Sequence, residues 1–231
     1  MINIETLTEE ELCQLFDHTL LKPFAQKTDF EKLCFEAREN HFRMVAINSA
    51  PVPLCKELLK GTDVHIGAAI SFPLGQMSLE AKCDETLTAI KEGADEIDYV
   101  INIGRLKDKD LDYIRNEMTQ ITKICKDNNI LVKAIFENCY LTTEEIIEVS
   151  KIAREVRPDF IKTSTGFGTY GARVEDVKLM KQIVGDEVKV KAAGGIRSWK
   201  TCKEMLQAGA ERIGTSSSIQ ILKEFREYKT L

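Results

Sequence analysis

The chain has 231 residues, 43% hydrophobic and 30% charged, enough to bury one large core or two small ones. A formal net charge of -5, with no basic stripe carrying interleaved aromatics, excludes a nucleic-acid footprint. The longest apolar runs are strand-sized, which excludes a membrane span, and the acidic start MINIETLTEEEL is unlike the basic-then-apolar opening of a signal peptide.

In chain order, short β-rich runs predict strands at Asp17–Leu20, Arg43–Asn48, Val64–Ser71, Glu96–Ile101, Leu131–Phe136, Phe160–Thr163, Val188–Ala192 and Arg212–Gly214. Between them lie segments of helical period: DFEKLCFEAREN, VPLCKELLKG, SLEAKCDETLTAIKEG, DLDYIRNEMTQITKICKD, TTEEIIEVSKIAREV, RVEDVKLMKQIVG and SWKTCKEMLQAG. Thr142 or Thr143 with Glu145 nearby reads as an N-cap, and Gly61, Gly93, Gly185 and Gly209 stand where a C′ glycine belongs. Strict strand–helix alternation predicts a parallel sheet with right-handed crossovers. Eight such units, with no linker or low-complexity run dividing them, point to one domain over residues 1–231, a closed (β/α)8 barrel. The alternative is a flat doubly wound sheet, but its central strands would have both faces buried and no place for the charges described next.

Glu96 and Asp98 in EIDYVIN, Lys133 and Glu137 in VKAIFEN, Lys162 in DFIKTST, and Lys189 and Lys191 in VKVKAAGG all interrupt apolar strand runs. Charged side chains stand in strand interiors only when paired or put to use. Strand alternation puts Glu96 and Asp98 on one face, Lys133 with Glu137, and Lys189 with Lys191. A barrel lumen opening at its C-terminal mouth accommodates all of them. Lys133, Lys189 and Glu96 lie deeper along their strands and read as a structural ion network. Lys162 is flanked by Thr163, Ser164, Thr165 and Gly166, a setting better suited to a ligand.

Lys162 and Lys191 fall near the C-terminal ends of neighbouring strands six and seven. A second cation in a partly desolvated place lowers an amine's pKa and produces a nucleophile for Schiff-base formation. Asp98, on strand four, is placed to shuttle a proton or to hold Lys191 charged. After strands seven and eight come two glycine/hydroxyl loops, Ala193–Ser198 and Gly214–Ser218, where barrel enzymes often bind phosphate. Seven scattered cysteines with no C-x-x-C pair read as reduced thiols in a cytoplasmic protein. His18, His41 and His65 lie far apart and show no metal-ligand spacing, so no metal is expected and at most one of the three touches the site.

The chain resembles the deoxyribose-phosphate aldolase family over nearly its whole length. The resemblance rests on DHTLLKP (Asp17–Pro23), SFPLGQ (Ser71–Gln76), GADEIDYVINIG (Gly93–Gly104), ENCYLT (Glu137–Thr142), DFIKTSTGFGTYGA (Asp159–Ala172), KVKAAGGIRS (Lys189–Ser198) and RIGTSS (Arg212–Ser217). It implies a class I aldolase that reversibly cleaves 2-deoxy-D-ribose 5-phosphate to D-glyceraldehyde 3-phosphate and acetaldehyde, with no cofactor beyond a covalent Schiff base. It further implies Lys162 as the Schiff-base lysine, Lys191 as its activator and Asp98 as the proton relay. Phosphate contacts map to Gly166, Gly194, Gly195, Ser216 and Ser217, with Thr165, Asp17 and Thr19 ordering the site. A homodimer or higher homo-oligomer is implied by the same analogy.

Three positions depart from the family pattern: Ala46 where a cysteine is usual, Ser71 where glycine is frequent, and Tyr228 followed by Lys-Thr-Leu where some members end in a terminal tyrosine. Two rival readings remain open on sequence alone: an aldolase for another sugar phosphate, and a non-catalytic sugar-phosphate-binding barrel.

Overall fold

Eight parallel strands pair in sequence order and close on themselves, β1 to β8, in the computed structural model, which describes residues 2–230. Met1 and Leu231, the two ends of the expected 1–231 domain, lie outside the described residues. The strands are β1 (Phe16–Leu20), β2 (Met44–Asn48), β3 (His65–Ile70), β4 (Glu96–Val100), β5 (Leu131–Ile135), β6 (Phe160–Lys162), β7 (Lys189–Ala193) and β8 (Arg212–Thr215). A short α1 (Glu9–Cys13) precedes them. The crossovers carry α2 (Lys27–Glu39), α3 (Val52–Leu58), α4 (Leu79–Glu92), α5 (Ile103–Lys107), α6 (Leu111–Asp127), α7 (Thr143–Val156), α8 (Val174–Val184) and α9 (Trp199–Gln207). After β8 the chain ends in α10 (Ser218–Lys229). This is the (β/α)8 barrel, and among the described residues no helix is long and apolar enough to cross a membrane.

Local chemistry sets the helix ends. Thr142 caps α7 in a reciprocal capping box with Glu145, and Ser78 caps α4, which Gly93 terminates at φ 111°. The core lies between barrel and helices. On β4, Ile97 and Tyr99 point outward into it, while Glu96 and Asp98 turn inward to partners on other strands. Period-two alternation thus sorts one strand into an apolar outer face and a charged inner one.

Two of the three departures noted in the sequence have a local setting, and nothing in the structure explains Ala46. Ser71 sits at φ 51°, a left-handed conformation that favours glycine; Glu85 accepts its amide N–H at 2.8 Å. Tyr228 belongs to α10 and packs on α9, its ring 5.7 Å from Trp199 and its hydroxyl accepting from Lys203 Nζ at 3.0 Å. It is part of the packing beneath α10.

Candidate active site

Seven charged side chains meet inside the barrel, all nearly inaccessible: Asp17, Glu96 and Asp98 against Lys133, Lys162, Lys191 and Arg212. Strand register builds the cluster. Asp98 pairs across with Lys133, Lys162 with Lys191, and Lys191 with Arg212. Asp98 is the hub: its Oδ1 accepts from Lys133 Nζ at 2.7 Å, and its Oδ2 from both Lys162 at 2.8 Å and Lys191 at 2.7 Å. Lys191 also contacts Asp17, which Arg212 grips with Nε at 2.9 Å. Glu96 takes Lys133 at 2.5 Å, Arg212 at 3.2 Å and, from the rim, His65 at 2.9 Å. Gly214 makes room for this traffic, since a Cβ there would lie 3.1 Å from Lys191 Cε.

Charge accounting singles out one lysine. Three carboxylates face four cations, so the interior balances when one cation gives up its proton. Lys133 has two carboxylate partners, Lys191 has two, and Arg212 has two; Lys162 has Asp98 alone. Burial pushes the Lys162 amine down to about 8, and the Lys191 cation adds to this against the opposing pull of Asp98. The expected cause, a neighbouring cation, is therefore present but second to desolvation. Lys133 moves the other way: burial works against its charge, but Asp98 and Glu96 hold it above the ordinary lysine value. Burial would raise Asp98, yet the three ammonium groups keep it well below the usual carboxylate range.

A cavity of about 560 Å³ opens above Lys162 at the C-terminal mouth. Of the residues singled out in the sequence, Lys162, Thr19, Thr165, Gly166, Gly194, Gly195 and Ser216 line it. Asp98 and Lys191 do not; Asp98 stands one hydrogen bond behind Lys162, and Lys191 one further, on the same Asp98 oxygen. Asp17 lies in the same layer, and Thr19 Oγ1 donates to its carbonyl oxygen at 2.8 Å. Ser217 is set back as the N-cap residue of α10. Gly166, Gly194 and Gly195 all take positive φ, and a Cβ on Gly194 would press on Gly171 Cα at 3.0 Å.

Two expectations need correction. Lys189 shares a face with Lys191 but stands at the first, exposed position of β7, beside the Phe160 ring at the opposite mouth, and takes no part in the ion network. Glu137 does not meet Lys133 either, although alternation puts them on one face; Lys133 pairs with Glu96 and Asp98. Glu137 sits just past β5 at φ 56°, and its carboxylate faces Thr165. One of the three histidines lines the cavity. His18 lines the cavity between Ser218 Oγ (3.1 Å) and Glu36 (2.9 Å), while His65 supports Glu96. Arg212 was not foreseen in the network, because a three-residue strand reading gives no alternation from which to place it.

The DeoC/LacD family aldolase profile matches residues 12–222. The chain belongs to this aldolase family. It is 56% identical to the deoxyribose-phosphate aldolase of Lactobacillus acidophilus over 95% of this chain and 92% of that one. It is 51% identical to the enzyme of the same name from Bacteroides thetaiotaomicron over 98% and 95%. Among solved structures, the deoxyribose phosphate aldolase of Aeropyrum pernix, described as a unique tetramer, superposes with a TM-score of 0.90 at 30% identity, covering 97% of this chain and 95% of that one.

Proposed function

We propose that this DeoC/LacD-family aldolase is a lyase that reversibly cleaves 2-deoxy-D-ribose 5-phosphate to D-glyceraldehyde 3-phosphate and acetaldehyde through a Schiff base on Lys162. The observation that carries the reading is one buried amine with a depressed pKa, exposed only to the floor of a cavity whose far wall is two glycine-rich loops. Relatives named for this reaction at up to 56% identity support the substrate.

In this mechanism the neutral amine of Lys162 adds to the C1 aldehyde, and water leaves as the protonated imine forms. A base withdraws the proton of the C3 hydroxyl; the C2–C3 electrons flow into the imine, and C3 departs as the aldehyde of glyceraldehyde 3-phosphate. Protonation of the enamine at C2 and hydrolysis release acetaldehyde and restore the amine. Lys191 and Asp98 form the relay, with Lys191 as the proton holder and the ionised Asp98, touching both amines, as the pivot between them. Gly166, Gly194, Gly195, Ser216 and Ser217 hold the phosphate, so binding energy remote from the reacting carbons orients them. Thr165, Asp17 and Thr19 order the site around Lys162. No cofactor beyond the lysine is required by this chemistry.

The assembly is assigned as a homo-oligomer on the tetrameric description of the Aeropyrum relative, and the location as cytoplasmic on seven free cysteines. Purified protein given deoxyribose 5-phosphate should release acetaldehyde and glyceraldehyde 3-phosphate, with far slower turnover of other sugar phosphates. Tight phosphate-sugar binding with no aldehyde released would refute the reaction.

A further inference from the structure

Glu137 is a buried carboxylate with no cation in contact among the described residues, which is unusual because a desolvated charge is normally paired. Its hydrogen-bond partners are neutral: Thr165 N at 3.2 Å, the Thr165 hydroxyl, and Cys139 Sγ at 3.7 Å. Its place is nevertheless beside the reacting lysine. The residues on either side of it extend the β5–β6 pairing, Phe136 N donating to the Lys162 carbonyl at 2.9 Å and Asn138 N to the Thr163 carbonyl at 2.9 Å. Its backbone is left-handed, φ 56° and ψ 62°, a costly conformation for a non-glycine residue and one that clusters at functional sites.

Two consequences follow from this placement. First, the loop after Lys162 is wound on the Glu137 side chain. Thr165 spends its hydroxyl proton on the carboxylate and accepts from Phe167 N at 3.0 Å, and Gly168 lies so close that a Cβ there would meet Glu137 Cδ at 3.2 Å. Thr165, Gly166 and Phe167 form one wall of the cavity, so the carboxylate sets that wall. Second, within the ion network of Asp17, Glu96 and Asp98, which Glu137 does not join, the charges balance only while Lys162 is neutral. Imine formation joins the amine nitrogen to C1, expels the carbonyl oxygen as water and takes up one proton from solvent, leaving one positive charge more than the three strand carboxylates can match. Glu137 is a further buried carboxylate beside them: burial raises its pKa above the ordinary carboxylate value, while its Thr165 hydrogen bonds and the positive charge on Lys162 draw it down, so its negative charge is favoured as that positive charge appears.

We propose that Glu137 is a positioning residue of this site: it winds the Thr165–Gly168 loop against the reacting lysine, and its carboxylate balances the positive charge that appears on Lys162 when the protonated imine forms. The proposal rests on Lys162 being the Schiff-base lysine. Glu137→Gln keeps the shape and an acceptor for Thr165 N but removes the charge. Acetaldehyde trapped by borohydride, mapped to the Lys162 peptide and followed against pH, should show its midpoint moved down by about one unit, the size of shift a nearby opposite charge produces. At pH 9, where the free amine is neutral, half-maximal trapping should need about ten times more acetaldehyde, one pKa unit being a factor of ten. A native midpoint and native half-saturation, even in a less stable variant, would overturn the charge-balancing role.

Glu137→Asp keeps the charge but withdraws it from Thr165 by one methylene. It should retain the native midpoint while raising the KM for deoxyribose 5-phosphate severalfold; an unchanged KM would overturn the loop-winding role, and this arm decides the matter if the Gln variant does not fold. Absence of any Lys162 adduct in the native protein would instead defeat the Schiff-base reading, so the two failures are distinguishable.

Discussion

Lys191→Leu is the most informative single substitution in this site. In the native protein Lys162 stays near 8 because burial disfavours its charge, Lys191 repels it, and Lys191 competes for Asp98 Oδ2. Removing Lys191 leaves three carboxylates facing three cations, so the interior then balances with Lys162 protonated. Burial, the larger cause, persists in the variant, so the amine rises only part of the way from about 8 toward the ordinary 10.5; each unit of rise lowers its neutral fraction at pH 7 about tenfold. Loss of the relay adds a further factor of about 10² or more, so with a rise of about one unit turnover at pH 7 should fall by about 10³ or more. Asp17 and Asp98 each lose a partner, which costs about 3–5 kcal/mol of stability for a broken buried pair; urea unfolding will show whether the variant remains folded. The assay is kcat/KM for deoxyribose 5-phosphate against pH. The variant should keep gaining about tenfold per unit beyond pH 8, where the native enzyme levels off. A variant profile that still levels near pH 8 would refute the charge-balance argument, however low its rate.

Other perturbations test separate parts of the account. Ser216→Glu adds a negative charge to the cavity wall; it should raise the KM for deoxyribose 5-phosphate on the order of tenfold, from a repulsion of about 1–2 kcal/mol, and leave that for free deoxyribose nearly unchanged. Equal effects on both sugars would remove the phosphate assignment. Beneath the helices, Lys82 Nζ donates to Glu117 at 2.6 Å and to the Val100 carbonyl at 2.7 Å, both side chains fully buried. Lys82→Met should cost about 3–5 kcal/mol in urea unfolding, while the Lys82→Met/Glu117→Leu double variant should recover most of it. A double variant as unstable as the single one would show that the packing of the chains, and not the orphaned carboxylate, sets the cost.

Much of the fold was legible because strand–helix alternation is a coarse signal. The eight strand readings fall within about a residue of the observed bounds at every end, since apolar runs and glycine stops mark them. The final helix, Ser218–Lys229, escaped because the Gly214–Ser218 run reads as an anion loop and no strand follows to demand a crossover. Within the site, alternation reports which face a side chain takes but not its depth. Lys189 and Lys191 share a face, yet one is exposed at the strand start and the other is sealed between Asp17 and Asp98. Glu137 was misplaced because alternation ends where the backbone turns left-handed, and nothing in FENCY announces that turn. The order of causes at Lys162 was likewise hidden: two lysines on adjacent strands suggest repulsion, whereas the degree of burial, the larger effect, depends on the closed barrel around them.

Reductive trapping of acetaldehyde on the native protein, followed by peptide mapping across a pH series, bears most directly on the central claim. A single two-carbon adduct at Lys162, rising to half its maximum near pH 8, is the result this site predicts. An adduct on another lysine, or labelling that rises only near the 10.5 of an ordinary lysine, would contradict it.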